Sequence, residues 1–448
     1  MKHRRIRYGG PRQAAKKPSN LDSPVEILSL SLDGRGVARP DGKTLFVRDA
    51  LPGEQVEVTV EKSGKRYDEG CLAQLITASE KRVEPACQYY GRCGGCDLQH
   101  LDSQAAVEMK QHELLTQLAK HAKVEPKAIE SPLQGENRLG YRRAARIGIN
   151  QRETGELLIG FRRRNSSKLI DIEHCPVLTP SINDLLADLR STLEQFDRIK
   201  HLTQIELVEG KSGVVVELRA TKNLSDELRV ALTDLAQQHQ ADFVLSIKEG
   251  AKTKLNANPA ATELELARSL KLAFSARDFV QVNSEVNEQM LSRVIDWLSP
   301  QADERALDLF SGLGNFSLPL AQKLKRVTAV EGSSAMVERC LANAAANGID
   351  NIDAYSADLS QPNPAAPWLA QNYDLILLDP PRQGAADIIA QIEHLRPRAL
   401  VYIACDPSSL VRDAETLTAQ GYSMSKLCIA DMFPQTHHIE SLALFERA

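Results

Sequence analysis

Hydrophobic and polar positions divide the chain into three differently textured stretches. From Pro24 to about Ala78, short alternating runs such as Val25-Glu-Ile-Leu-Ser-Leu, Leu45-Phe-Val-Arg and Val56-Glu-Val-Thr-Val60 are separated by turn residues at Asp33-Gly-Arg-Gly36, Asp41-Gly42 and Leu51-Pro-Gly53. Strands this short and this closely spaced predict a small β-barrel over residues 21–78. Residues 79–270 are mixed α+β. Strand-like runs at Leu202-Thr-Gln-Ile-Glu-Leu-Val and Gly213-Val-Val-Val-Glu-Leu precede a helical period near Asp226–Gln238. Over residues 271–448 apolar strands alternate with helical segments, which predicts a doubly wound, Rossmann-like α/β sheet.

In that last stretch, the predicted strands end on residues that carry chemistry. Ala306-Leu-Asp-Leu-Phe310 runs through Ser311 into Gly312-Leu-Gly314-Asn315 and then a helix. The two glycines let backbone come close to a ligand at the helix amino terminus. Val327-Thr-Ala-Val-Glu331 ends on an acid suited to ribose hydroxyls. NAD and S-adenosylmethionine enzymes share both devices. Ser317 stands where the dinucleotide fingerprint has its third glycine, which tilts the reading toward S-adenosylmethionine. Asp358 follows a third strand, and Tyr373-Asp-Leu-Ile-Leu-Leu-Asp379-Pro-Pro-Arg382 ends a fourth. A buried fifth, Arg398-Ala-Leu-Val-Tyr-Ile-Ala404, delivers Cys405 into the turn Asp406-Pro-Ser. The carboxyl edge of such a sheet is where ligands bind.

A cysteine and a glutamate are what pyrimidine C5 methylation requires. C5 is too weak a nucleophile to take a methyl group from a sulfonium unaided. A thiolate adding to C6 makes C5 nucleophilic, and a base must later remove the C5 proton so that the thiolate can leave. Cys405 suits the first role, and a lowered thiol pKa is expected to help it. Glu440 follows Thr436-His-His-Ile439, abuts the apolar run Ser441-Leu-Ala-Leu-Phe445, and suits the second role. His437 and His438 are candidate orienters.

Composition narrows the class. Hydrophobic content of 42% and charged content of 25% are those of a soluble globular protein. No apolar run approaches the ~18 residues of a membrane span. The amino terminus lacks a secretory pattern, so a cytoplasmic protein is expected, with no membrane association and no evident protein partner. Eight unevenly spaced cysteines then point to metal or catalytic use before disulfides. Cys87, Cys93 and Cys96 lie close together, with glycines at 94 and 95, and Cys175 follows much later before a proline. Four cysteines so arranged suit a [4Fe–4S] cluster, with four-cysteine zinc as the physical rival. Cys71, Cys340 and Cys428 read as core residues.

Charge is asymmetric. Residues 1–175 carry 30 Lys+Arg against 23 Asp+Glu, and residues 176–448 carry 25 against 36. A basic front half joined to an acidic back half suggests a polyanion docked mainly on one side. Residues 1–20 form a basic arm with seven Lys or Arg and no acid. Gly140-Tyr-Arg-Arg-Ala-Ala-Arg146 and Gly160-Phe-Arg-Arg-Arg-Asn-Ser-Ser-Lys168 interleave arginines with aromatics, as a surface for single-stranded RNA does. Arg142, Arg143, Arg162, Arg163 and Arg164 are the expected phosphate contacts.

Taken together, Phe279-Val-Gln-Val-Asn283, Asp308-Leu-Phe-Ser-Gly, Glu331, Asp379-Pro-Pro-Arg, Cys405-Asp-Pro and Thr436-His-His-Ile-Glu resemble the RNA uracil-5-methyltransferase family. Gly34-Arg-Gly-Val-Ala38 and Ala50-Leu-Pro-Gly-Glu54 resemble a TRAM domain, an OB-like RNA-binding barrel. The resemblance implies a class I methyltransferase domain preceded by that barrel and an iron–sulfur central domain. It implies S-adenosylmethionine held at Gln281, Phe310, Asn315, Glu331, Asp358 and Asp379, with Cys405 as nucleophile and Glu440 as base. It favours [4Fe–4S] over zinc at Cys87, Cys93, Cys96 and Cys175. The implied substrate is a flipped uridine in a single-stranded or loop region of 23S ribosomal RNA. Transfer RNA methylation is the nearer alternative, and a non-catalytic metal-containing RNA-binding protein the more distant one.

Overall fold

The computed structural model describes residues 19–197, 199–248, 252–258, 262–266 and 269–447. The expected basic arm lies outside these, apart from Ser19–Asn20, a short strand paired with Gln55–Ser63. The described residues fall into two compact units, one of residues up to Glu84 with Asp97–Ala105, the other of Pro85–Cys96 with the residues from Ala106 onward.

The first unit contains the predicted sheet of short strands. Thr44–Arg48 turns Leu45 and Val47 inward, Gln55–Ser63 turns Val56 and Val58 inward, and these pack on Ile27, Ala38 and Ala50. The turn between those strands is closed by Glu54, which is fully buried. Its carboxylate accepts from the Leu51 amide at 2.8 Å and from Arg82. Burial works against the charge, but the Arg82 guanidinium and the Leu51 and Ser79 amides outweigh it and hold this carboxyl below its usual range. Cys71, expected in the core, is only half-buried. It lies on Tyr67–Thr77 next to the Arg48–Glu61 ion pair, on the outward side of the sheet. Cys340 and Cys428 are buried as expected.

Two larger sheets organise the second unit. One is seven-stranded, in the order Leu169–Asp171, Leu157–Arg162, Ala144–Gln151, Leu202–Gly210, Gly213–Ala220, Asp242–Ile247 and Lys252–Lys254. Helices Pro180–Leu193 and Asp226–Gln238 contribute Leu185, Leu189, Leu232 and Leu235 to its core. The other sheet has eight strands: Ile352–Ser356, Arg326–Glu331, Arg305–Leu309, Leu375–Leu378, Ala399–Ala404, Glu440–Arg447, Tyr422–Ala430 and Ala128–Ile129. Its first five strands run parallel, and Leu375–Leu378 and Ala399–Ala404 are buried at every position. Continuous apolar strands of this kind need cover on both faces. Glu440–Arg447 pairs antiparallel with both of its neighbours. Ala128–Ile129, from the stretch preceding residue 271, adds the outermost strand beside Tyr422–Ala430.

Helix starts are set by side chains. Asn283 caps Ser284–Leu298 by accepting from the Val286 amide, and Asp406 caps Pro407–Ala419 by accepting from Ser408 and Ser409. Pro407 at the first helical position costs no hydrogen bond and stops the preceding strand. Cys405 therefore lies in the single step between a buried strand and a capped helix. Among the described residues, no helix is long and apolar enough to cross a membrane.

Candidate active site

The parallel strands deliver polar residues to one edge of the sheet. At the end of Arg305–Leu309 the chain turns through Phe310 at φ +65°, Gly312 at +54° and Gly314 at +94°. Phe310 is a bulky residue in the left-handed region, where strain is tolerated mainly at functional sites. The amides of Phe310 and Ser311 both donate to the Val330 carbonyl, which ties the turn to the next strand. A Cβ on Gly314 would collide with Leu318 Cδ1 and lie 3.0 Å from Cys340 Sγ, so only glycine fits there. Glu331 closes the turn from the neighbouring strand, accepting from the Gly312 amide at 3.2 Å and the Ser333 amide at 3.0 Å. Asn315 exchanges reciprocal 3.0 Å amide hydrogen bonds with buried Asn287.

Gln281 is buried in the segment before Ser284–Leu298, and its carbonyl accepts from Arg143 Nε at 2.8 Å. Asp358 lies on an exposed loop, held below the usual carboxylate range by the Ser360 hydroxyl and amide. It borders a cavity of about 310 Å³ with Tyr355 and Trp368. Ser317 has a positive role that the sequence did not reveal. Its hydroxyl donates to Asp308, a fully buried carboxylate whose other oxygen has no hydrogen-bond partner among the described residues. Left-handed backbone at the turn, a strand-end carboxylate and an acid beside an open cavity fit S-adenosylmethionine.

Strand register places the two residues expected to be nucleophile and base. Ala404 pairs with Ser441 and Ile403 with Leu442, so one further step sets Cys405 opposite Glu440. Glu440 is buried, and burial, then the charge of Asp379, raises its carboxyl well above the ordinary value. Asp379 ends Leu375–Leu378, and burial pushes it up to about 7. The Cys405 thiol is pushed up to about 12 by burial, then by Glu440 and Asp379, while Arg382 pulls the other way. The expected lowering of the thiol is therefore overturned in the RNA-free protein, because two acids and a dry environment outweigh one cation. Arg382 also lies 3.5 Å from His438 Nε2, a contact no motif announced.

Buried acids give this unit a pH signature. Burial, with Asp379 and Glu331 adding to it, raises Asp308 to about 7, and burial raises Asp379 likewise. Both folded values exceed the unfolded one. Their contribution to stability is therefore complete below about pH 4 and is lost as pH rises through about 7. The melting midpoint is expected to fall on the order of 5 °C between pH 5 and 8, and Asp308→Asn should remove part of that fall. Thermal melts at constant ionic strength check this; a flat profile in both proteins would contradict it.

No disulfide joins the eight cysteines. Among the described residues, no three or more His, Cys, Asp or Glu side chains are grouped so as to hold a metal ion. The thiols of Cys87, Cys93 and Cys175 nevertheless feel one another. Burial and then Cys87 raise Cys93, and burial with Cys87 and Cys93 raises Cys175. The cysteine loop is bound to the arginine hairpin: Gly94 N donates to Arg162 O, Arg164 N to Arg92 O, and the Arg164 side chain to Cys96 O. Arg162 and Arg163 are exposed, as a phosphate surface needs. Arg143 is not. It is 8% exposed and spends its guanidinium on the Gln281 carbonyl, so its expected phosphate role is corrected to an internal one.

The sequence profile of the tRNA (Uracil-5-)-methyltransferase family matches residues 102–361 and 369–448. The chain belongs to that family. A TRAM domain profile matches residues 23–72, the sheet of the first unit. Relatives within the family include the 23S rRNA (uracil(1939)-C(5))-methyltransferase RlmD of Vibrio parahaemolyticus, 40% identical over 437 residues, which are 97% of this chain and 98% of that one. The protein of the same name from Pseudomonas fluorescens is 41% identical over 443 residues, 99% and 98% of the two chains. Among solved structures, the tRNA (uracil-54, C5)-methyltransferase of Pyrococcus abyssi in complex with S-adenosyl-L-homocysteine matches with a TM-score of 0.70. It covers 94% of this chain and 100% of that one at 22% identity, which shows a shared class I methyltransferase fold.

Proposed function

We propose that this chain methylates C5 of a uridine in 23S ribosomal RNA, using S-adenosylmethionine. The relatives' names support position 1939. The observation that carries the chemistry is the strand register that sets Cys405 opposite Glu440, beside Asp379, at the ligand-binding edge of the sheet.

The Cys405 thiolate adds to C6 of the uracil, and the electron pair of the C5–C6 bond moves toward O4. S-adenosylmethionine, when bound, supplies the methyl group that C5 receives. Glu440 then takes the proton from C5, the C5–C6 double bond re-forms, and the C6–S bond breaks to return the Cys405 thiolate. Attack on the ring face requires the uridine to leave its stack, so the base is flipped. Glu331 would hold ribose hydroxyls, Asp358 would border adenine, and Gln281, Phe310, Asn315 and Asp379 would complete the cofactor site. Because the thiol rests near 12, it is expected to lose its proton only once RNA enters and redistributes charge around Asp379, Glu440 and Arg382.

The test is tritium release. RNA labelled as [5-³H]uridine is expected to lose its label to water in step with methylation. Methylation of the RNA without that release would reject C5 as the target, and mapping the modified position separates ribosomal from transfer RNA.

We also propose that Cys87, Cys93, Cys96 and Cys175 hold a [4Fe–4S] cluster that organises the arginine hairpin, within a central domain over residues 79–270 between the barrel and the methyltransferase domain. The hydrogen bonds joining the cysteine loop to the arginine hairpin support this. Metal binding and thiol deprotonation are coupled, so the four-thiolate set is expected to close with iron bound. Protein purified without oxygen should be brown, with about four iron and four sulfide per chain. Stoichiometric zinc in colourless protein would reject the cluster.

A further inference from the structure

The stretch Asp431–Ile439 links the strand Tyr422–Ala430 to Glu440, and its first half is tied down from elsewhere in the second unit. Lys110, on the helix Ser103–Gln117, is 1% exposed and reaches Asp431 Oδ1 at 2.8 Å; Asp431 is itself buried. The same ammonium lies 3.4 Å from the Phe433 carbonyl. Arg138 pairs with the other carboxylate oxygen of Asp431. The Asp431 amide donates to the Leu133 carbonyl at 2.8 Å, and the Tyr141 hydroxyl donates to the Pro434 carbonyl at 3.0 Å.

Beyond Pro434 the loop holds itself. Gln435 adopts φ +71°. The Thr436 hydroxyl donates to the Phe433 carbonyl at 2.9 Å and accepts from the His438 amide at 3.3 Å. Two residues later Glu440 enters the sheet opposite Ala430. An unbroken run of directed contacts therefore leads from Lys110 and Tyr141 to the segment that sets Glu440.

We infer that Lys110 and Tyr141 are positioning residues for proton removal from C5, resting on the roles proposed above for Cys405 and Glu440. Stability alone explains the ion pair poorly, because apolar residues of similar volume often serve a core as well as a buried pair does. Charge and hydrogen bonds add direction. The nucleophile has no share in these ties, since Cys405 comes from the strand Ala399–Ala404 and the cap at Asp406. Loosening the loop should therefore spare thiolate addition and methyl transfer and slow the release of Cys405. A misplacement of about 1 Å can cost a catalytic step ~10²-fold.

The experiment compares wild type, Lys110→Met, Tyr141→Phe and Glu440→Gln as full-length proteins on methyl-labelled cofactor and substrate RNA. Tyr141→Phe removes a single hydrogen bond and no charge, so it tests the loop even if Lys110→Met folds poorly. In both loop variants, single-turnover methyl incorporation should stay within about 3-fold of wild type. Multiple turnover should fall roughly 10- to 100-fold, with a protein–RNA adduct on denaturing gels above the wild-type level. A purely structural role would lower all rates in proportion to folded protein and raise no adduct. An adduct in Glu440→Gln with none above wild type in either loop variant would overturn the positioning role alone. Absence of an adduct in Glu440→Gln as well would overturn the chemistry on which it rests.

Discussion

Glu440→Gln is expected to transfer at most one methyl group per chain and then stall, with Cys405 joined to uracil C6. Addition and methyl transfer leave the C5 proton in place; only the return of Cys405 requires its removal. Glutamine preserves the size of glutamate and its place opposite Cys405, but it cannot accept a proton. The substitution also removes a buried acid whose ionisation is opposed by burial and by Asp379, so folding should not suffer. The stalled species should survive denaturing electrophoresis and carry label from the cofactor. It should be missing from the Cys405→Ala, Glu440→Gln double variant. Normal turnover in Glu440→Gln would move the base elsewhere, with His437 and His438 the nearest candidates in sequence.

Cys405→Ala is expected to abolish turnover while leaving S-adenosylmethionine binding nearly intact. Cys405 lies one strand beyond Asp379 and two beyond the glycine turn, and none of the hydrogen bonds that shape that turn involves it. Without a covalent bond at C6, C5 has no route to becoming nucleophilic, so methylation should fall well below about a tenth of wild type. Cofactor affinity, measured by calorimetry, should change by less than about 3-fold, or ~0.6 kcal/mol. Residual methylation above a tenth would remove Cys405 from the mechanism. A matching loss of cofactor affinity would recast it as part of the binding site.

Much of the second unit was legible because its signals are local. The run preceding Cys405 is apolar at every position, as a strand buried on both faces must be, and the helix near Asp226–Gln238 has those bounds in the structure. The barrel's turns were announced by Gly and Pro. Its last strand, Tyr67–Thr77, was not, because exposed and half-buried positions break the alternation along it. Arg143 was misread for a related reason: arginines adjacent in sequence point to opposite sides of an extended chain, and one of them faces inward. The Cys405 thiol was misjudged because burial, and then Glu440 and Asp379 from neighbouring parts of the sheet, set its environment. Ser317 looked like a missing glycine because Asp308, its partner, lies one strand and one turn earlier. Contacts made only in the folded chain decide all three, and a single sequence shows none of them.

The outermost strand of the eight-stranded sheet has a practical consequence. Ala128–Ile129 covers Tyr422–Ala430, and three amides flanking it, those of Lys127, Glu130 and Leu133, donate to the carbonyls of Met424, Leu427 and Ile429. A fragment cut at residue 271 to isolate the methyltransferase fold would expose that row of carbonyls on a largely buried, apolar strand. Bare strand edges recruit other chains. Such a fragment is expected to aggregate in proportion to its concentration, and adding back a peptide spanning residues 124–134 should suppress the aggregation by restoring the missing neighbour.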